Sequence, residues 1–503
     1  MSLSKIDDRM VSNRVLNHSF TALLLLASIS LSAQKYSIDV RMDGLSGDTL
    51  ILGEYFTTRM IPLDTILLDR QGKGVFEGEE PLTGGMYLIY LDPSHFFDIL
   101  IGDDQEFIVY ADTSDLAGTV RFEGSEDNRI FLDYKNYLQT KRTELEEQQS
   151  LLNGSATEEE KINILDQQKK INKEMEQYMD RIEAAYPALF VSKFIGATRE
   201  SFPPEEALTG DKRADDSIRY FYYREHYFDW FDPFDVRLLH TPLYENKIKN
   251  YISRAVPQHP DSLIVAVDFL LEGARIDEEL YRYMLITLFN YFAESKYMGM
   301  DAVYFHIAEF YYLPDATWSS PEFLAKLKEN LEKNKPTLIG QTAPNVMMRE
   351  VPPEHFAMAM QDTAIKRDPH IGQDFFTNSI DADYTILYFW EADCSHCQKA
   401  TPALHDVYER LKDKNVAVIA VHVINSIEGK EKWIDFVNEH GMDDWINCWS
   451  PYSNEFRKLY NLESFPQLFI LDRNKKIVAK RITPEQAEKI INNLIEANSN
   501  NNT

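Results

Sequence analysis

Cys394 and Cys397 flank Ser395 and His396 in the stretch YFWEADCSHCQKATPAL (388–404), and they are two of only three cysteines in 503 residues. A pair at this spacing closes almost no loop, so it staples nothing. Its chemistry is either metal ligation or a disulfide that is made and broken. Zinc asks for four ligands, and the sequence offers no second Cys-x-x-Cys and no His-x-x-x-His. His405 and His422 fit a helix face and a strand core, so no metal and no cofactor is expected at the pair. Cys448, in DDWINCWSP, reads as a small buried apolar residue or as a third redox thiol.

The surrounding elements must present the thiols. YTILYFW (384–390) is an almost wholly apolar run, as a buried strand requires. The pair follows it at once, and HCQKATPALHDVYERL (396–411) has helical character. VAVIAVHVI (416–424) reads as a second buried strand, KWIDFVNEHG and SPYSNEFRKLYNL as helices, and FPQLFILD with KIVAKRI as a hairpin. Thr483 caps a last helix with Pro484 at its first position. Strand, pair, helix, strand, helix, hairpin and helix make an α/β sheet covered on both faces.

These residues resemble the thioredoxin fold, and GQTAPN (340–345) resembles the opening of its extracytoplasmic TlpA-like branch. Pro402 stands five residues after Cys397, where that family places a helix proline. Pro466, in SFPQLFILD, matches the family's cis-proline opposite the pair. The resemblance covers about residues 336–498 and implies a thiol-disulfide oxidoreductase. Cys394, at a helix N-terminus where free N–H groups favour a negative sulfur, would attack, and buried Cys397 would resolve the mixed disulfide. His396, if protonated, would help Cys394, while Asp393 beside it would oppose. Pro466 would shape the substrate groove, with Trp390, Ser395 and Phe465 along it. The family's buried Asp is here Tyr388, which leaves Glu391 as a proton carrier or as a solvated loop acid. The branch implies a reductant and His396 a more oxidising couple, and the reductant is preferred.

The rest of the chain sets the context. A net charge of −29 and the lack of a basic, aromatic-studded stripe argue against nucleic acid. Arg14 followed by FTALLLLASISL (20–31) and SAQ reads as a secretory leader cleaved after Ala33, or as an uncleaved anchor, with Met10 as an alternative start. No cysteine follows that core, so a lipoprotein is not expected, and no second apolar run could span a bilayer. The expected site of action is the periplasm or cell envelope. The expected partners there are protein thiols and disulfides and an unidentified electron donor.

The expected organisation is multidomain: a leader (1–33), an N-terminal all-β, sandwich-like domain (34–124), a central all-α region (125–335) and a C-terminal α/β thioredoxin-like domain (336–503). Eight short alternating runs build the first domain. Long charged helices, with Thr157 and Glu160 as a capping box, open the second. This front half resembles the uncharacterised N-terminal regions of TlpA-like proteins of Bacteroidetes, a likeness of architecture alone. RYFYYREHYFDWFDPFD (219–235) is either a buried aromatic face or a stacking surface. The second would suit an alternative function, an envelope binding module with the thioredoxin-like domain as accessory.

Overall fold

The computed structural model describes residues 35–153 and 157–501; the leader reading, at 1–33, lies outside the described residues. Contacts divide the chain into two compact units. One takes the described residues up to Gly53, with Pro62–Thr83 and Tyr87–Gln139. The other takes Glu54–Ile61, Gly84–Met86 and everything from Thr140 on.

The first unit is built on the strands β1 (Tyr36–Asp43), β2 (Thr49–Phe56), β3 (Arg59–Leu67), β4 (Lys73–Gly78), β5 (Gly85–Asp92), β6 (His95–Ile101), β7 (Glu106–Asp112) and β8 (Arg121–Glu123). They form two four-stranded sheets, ordered β4-β1-β7-β8 and β3-β2-β5-β6. The period-2 pattern explains the core. Ile38, Val40 and Met42 of β1 turn inward onto Leu50, Leu52, Phe76, Ile99 and Val109. Their neighbours Asp39 and Arg41 pair outside at 3.0 Å.

Long helices follow at Glu126–Leu152 and Glu158–Ala185. Thr157 caps the second in a full capping box with Glu160, as its sequence predicts. Lys141 on the first helix bridges Glu144 and Glu174 at 2.9 Å each. Shorter helices fill the chain to Asn334, among them Met300–Ile307 and Pro321–Asn334. Among the described residues no helix is long and apolar enough to cross a membrane.

The C-terminal sheet has seven strands in the order β10-β9-β13-β12-β11-β14-β15. They are β9 (Met347–Glu350), β10 (Gln373–Phe376), β11 (Tyr384–Trp390), β12 (Val416–His422), β13 (Ile446–Trp449), β14 (Gln467–Asp472) and β15 (Ile477–Lys480). β11 runs parallel to β12 and antiparallel to β14, and all seven of its residues are buried. A strand covered on both faces has no polar side, which is why YTILYFW lacks alternation. Ile386, Tyr388 and Trp390 pack on one face with Val407 and Trp433. Leu387 and Phe389 pack on the other with Ile419, Phe456 and Tyr460. β9, β10 and β13 extend the sheet beyond the strands expected from sequence. Each has four residues, too few for a periodic signal.

Candidate active site

β11 ends at Trp390, Glu391–Asp393 turn the chain, and the helix Ser395–Leu411 begins. Its N-cap is Cys394, whose Sγ accepts the backbone N–H of Cys397 at 3.4 Å. The thiol thus occupies the place that Ser, Thr, Asn or Asp usually fills, facing the unpaired donors of the first turn. Cys394 is half-exposed; Cys397, one turn on, is fully buried. Burial pushes the Cys397 thiol far up, with the Cys394 sulfur and the Glu391 charge adding, against one backbone hydrogen bond from Glu391. One sulfur is therefore reachable and the other is held protonated beneath it. Pro402 sits inside this helix.

The opposite wall is the segment before β14. The Phe465–Pro466 peptide is cis. Cys394 Sγ donates to the Phe465 carbonyl at 3.6 Å. Both Phe465 and Pro466 are half-buried, and the Arg457 guanidinium lies 5.0 Å from the Phe465 ring centre. Beside them opens a cavity of about 440 Å³ lined by His396, Glu463, Pro466, Gln467 and Arg481 among others. Gln467 is 7 % exposed, and its Oε1 has no hydrogen-bond partner among the described residues.

The structure brings Cys394, Ser395, His396, Cys397, Phe465 and Pro466 to one place. Trp390 is a correction. It is fully buried, stacked near Tyr388 at 6.3 Å and edge-on to Phe436 at 5.2 Å, so it supports the thiol loop from below and cannot wall a groove. Tyr388 lies beneath the thiols with its hydroxyl 2.9 Å from Thr401 Oγ1, and burial pushes its phenol up. The Asp393 carboxylate is met by Lys432 at 2.7 Å, a partner sequence reasoning did not supply. Cys448, on β13, is wholly buried and its thiol is pushed well up by that burial. Gln467 and Arg481 were missed; the only cue was that Gln467 follows Pro466.

Three features lie away from the thiols. His405, Glu409 and Asp444 offer ligand atoms within 4.8 Å of one another, yet Lys412 already holds Glu409 at 2.6 Å. The aromatic run divides: Tyr227 and Phe231 are buried, whereas Phe221 is 60 % exposed. A larger cavity, about 940 Å³, is lined by Arg282, Tyr283, Asn290 and neighbours.

Residues 381–477 match the thioredoxin-like family, and residues 212–335 match a domain of unknown function (DUF5106). The sporulation thiol-disulfide oxidoreductase A of Bacillus subtilis is 27 % identical over 106 residues, 21 % of this chain and 63 % of the relative. The thiol-disulfide oxidoreductase ResA of Oceanobacillus iheyensis is 22 % identical over 169 residues, 32 % of this chain and 76 % of that protein. A crystal structure of a thioredoxin-like protein from Bacteroides caccae aligns over 58 % of this chain and 96 % of its own, with 18 % identity and a TM-score of 0.38.

Proposed function

From a chain whose C-terminal region is thioredoxin-like, we propose a TlpA-like thiol-disulfide oxidoreductase that reduces disulfides outside the cytoplasm with Cys394 and Cys397. The observation that carries this is a half-exposed Cys394 capping its helix against the Phe465–Pro466 wall, with Cys397 buried one turn behind. The Cys394 thiolate attacks one sulfur of a substrate disulfide, and the other sulfur leaves as a thiol with a proton from solvent. Cys397 then loses its proton, attacks Cys394 Sγ and releases the second substrate thiol, leaving Cys394–Cys397 oxidised. Glu391, whose charge acts on Cys397, is the carboxylate assigned to take that proton. Tyr388, its phenol pushed up by burial, is not a base at neutral pH. An external dithiol restores the pair, which makes an envelope electron donor a required partner.

The reducing direction is supported by the likeness of GQTAPN (340–345) to the opening of the TlpA-like branch. The leader at 1–33 supports an envelope location. We assign recognition to the groove of Ser395, His396, Phe465 and Pro466, and keep 34–124, 125–335 and 336–503 as the functional division. The binding-module reading has two observations in its favour, the 940 Å³ cavity around Tyr283 and the exposed Phe221 of the aromatic run.

The test is a trap in the full chain. Cys397→Ser, incubated with a polypeptide disulfide, should accumulate a mixed disulfide on Cys394, and Cys394→Ser should form none. No adduct on Cys394 would sink the oxidoreductase reading and leave the binding module.

A further inference from the structure

The cavity beside Cys394 has two walls, and each begins at a residue with left-handed backbone. Asn461 (φ 45°) precedes the wall Glu463–Pro466; Arg481 (φ 55°) opens the wall that runs on to Pro484. Asn tolerates this conformation, but for Arg it is uncommon and needs support from its surroundings. Both walls are tied at that point to the helical region. Asn461 Nδ2 donates to Oδ1 of Asn334, which is 8 % exposed and ends the helix Pro321–Asn334. Lys480, directly before Arg481, is 7 % exposed and places its Nζ 2.5 Å from Asp301 on the helix Met300–Ile307.

These ties do more than glue two surfaces. An apolar contact of Phe305, Leu331 and Leu338 already joins the helices to the linker before the sheet. The linker in turn pairs with the hairpin: Gly340 N–H donates to Ile477 O at 2.8 Å and Ala343 N–H to Lys475 O at 2.8 Å. A buried ion pair is weak evidence for stability, because desolvation offsets much of the attraction. Here the second carboxylate oxygen of Asp301 is also buried and lacks a partner among the described residues, a further cost. What the pair does secure is direction. It fixes the end of β15, so that the Arg481 N–H meets Leu468 O at 2.8 Å and the chain turns into the cavity wall.

We propose that Asp301 and Asn334 are positioning residues for the redox site: the helical region sets both walls of the groove, which thereby takes an extended polypeptide beside its disulfide rather than a small disulfide alone. Building on the oxidoreductase reading, this gives the segment 212–335 a task, since both residues lie within it. The ligand's chemistry follows from the lining. Arg481 and Glu463 set opposite charges along it, which the C=O and N–H groups of an extended backbone can meet.

The experiment uses the full chain and two oxidised substrates, insulin and a small aromatic disulfide. Asp301→Asn should lower kcat/KM toward insulin roughly tenfold, mostly through KM, as expected for misplaced binding groups. The rate with the small disulfide and the reduction potential of Cys394–Cys397 should stay at wild-type values. Asn334→Ala removes the hydrogen bond from Asn461, together with those that Asn334 Nδ2 donates to Asn330, and keeps the apolar seam, so it carries the same test if Asp301→Asn does not fold. Unchanged insulin kinetics, or equal losses with both substrates, would overturn the proposal while leaving the oxidoreductase reading in place. A wild type that reduces neither substrate would overturn both.

Discussion

His422 ends β12 with 1 % of its surface exposed, its ring stacked on Trp433 at 5.4 Å and edge-on to Trp390 at 6.0 Å. Burial lowers its pKa from 6.5 to about 3, with a backbone hydrogen bond at Ile424 and the Asp393 charge opposing only in part. The imidazole is thus neutral in the folded protein throughout the range where the unfolded chain protonates it. Below pH 6.5 the unfolded state binds a proton that the folded state refuses, so stability falls as pH falls and stops falling near pH 3. The slope is about 1.4 kcal/mol per pH unit, which makes roughly 2 kcal/mol at pH 5. His422→Leu should remove that component and leave the contribution of other groups. Urea titrations at pH 7.5 and 5.0, followed by tryptophan emission, measure it. Four of the six tryptophans (Trp390, Trp433, Trp445 and Trp449) lie in the C-terminal domain, so the signal reports on it. The quantity is the pH-induced loss in wild type minus that in the variant. A difference of about 2 kcal/mol is expected; equal losses in both proteins would refute the reasoning that His422 is a buried neutral imidazole.

Two further outcomes can be read directly from burial. Brief alkylation of the folded, reduced chain, followed by mass spectrometry, should modify Cys394 and spare Cys397 and Cys448, both 0 % exposed; early labelling of Cys448 would contradict its place in the core. Tyr388→Phe leaves the Thr401 hydroxyl buried without its 2.9 Å partner, so stability should fall by about 1–2 kcal/mol. The rate of disulfide reduction at pH 7 should not change, and a tenfold loss in stopped-flow assays would show that the phenol takes part.

Much of this arrangement was legible because local signals agree with the fold. Eight alternating runs became eight strands, most plainly in β1 and β7, where buried and less buried residues alternate. Thr157 with Glu160 announced a helix start, and the i,i+3 cysteines with Pro466 announced the site. The misreading of Trp390 has a plain cause. Its strand is dry on both faces, so its sequence carries no sign of which side chains reach the surface, and all of them are internal. The strands β9, β10 and β13 were hidden by length, and INCW gains its β character from pairing with β12 and β9 rather than from its own pattern. The contacts of Lys480 with Asp301 and of Asn461 with Asn334 join residues more than a hundred positions apart, where no local propensity operates.

The pairing of Lys480 with Asp301 also limits how this chain can be cut and recombined. A fragment beginning near residue 336 keeps both thiols, yet it separates a largely buried ammonium from its counter-ion. The excised domain would have to hold the turn at Arg481 without that tie. A graft of the domain onto another scaffold would face the same demand. The C-terminal domain is thus not a freely exchangeable part, and a chimera that keeps the turn at Arg481 tied would carry a matching acid at the position of Asp301.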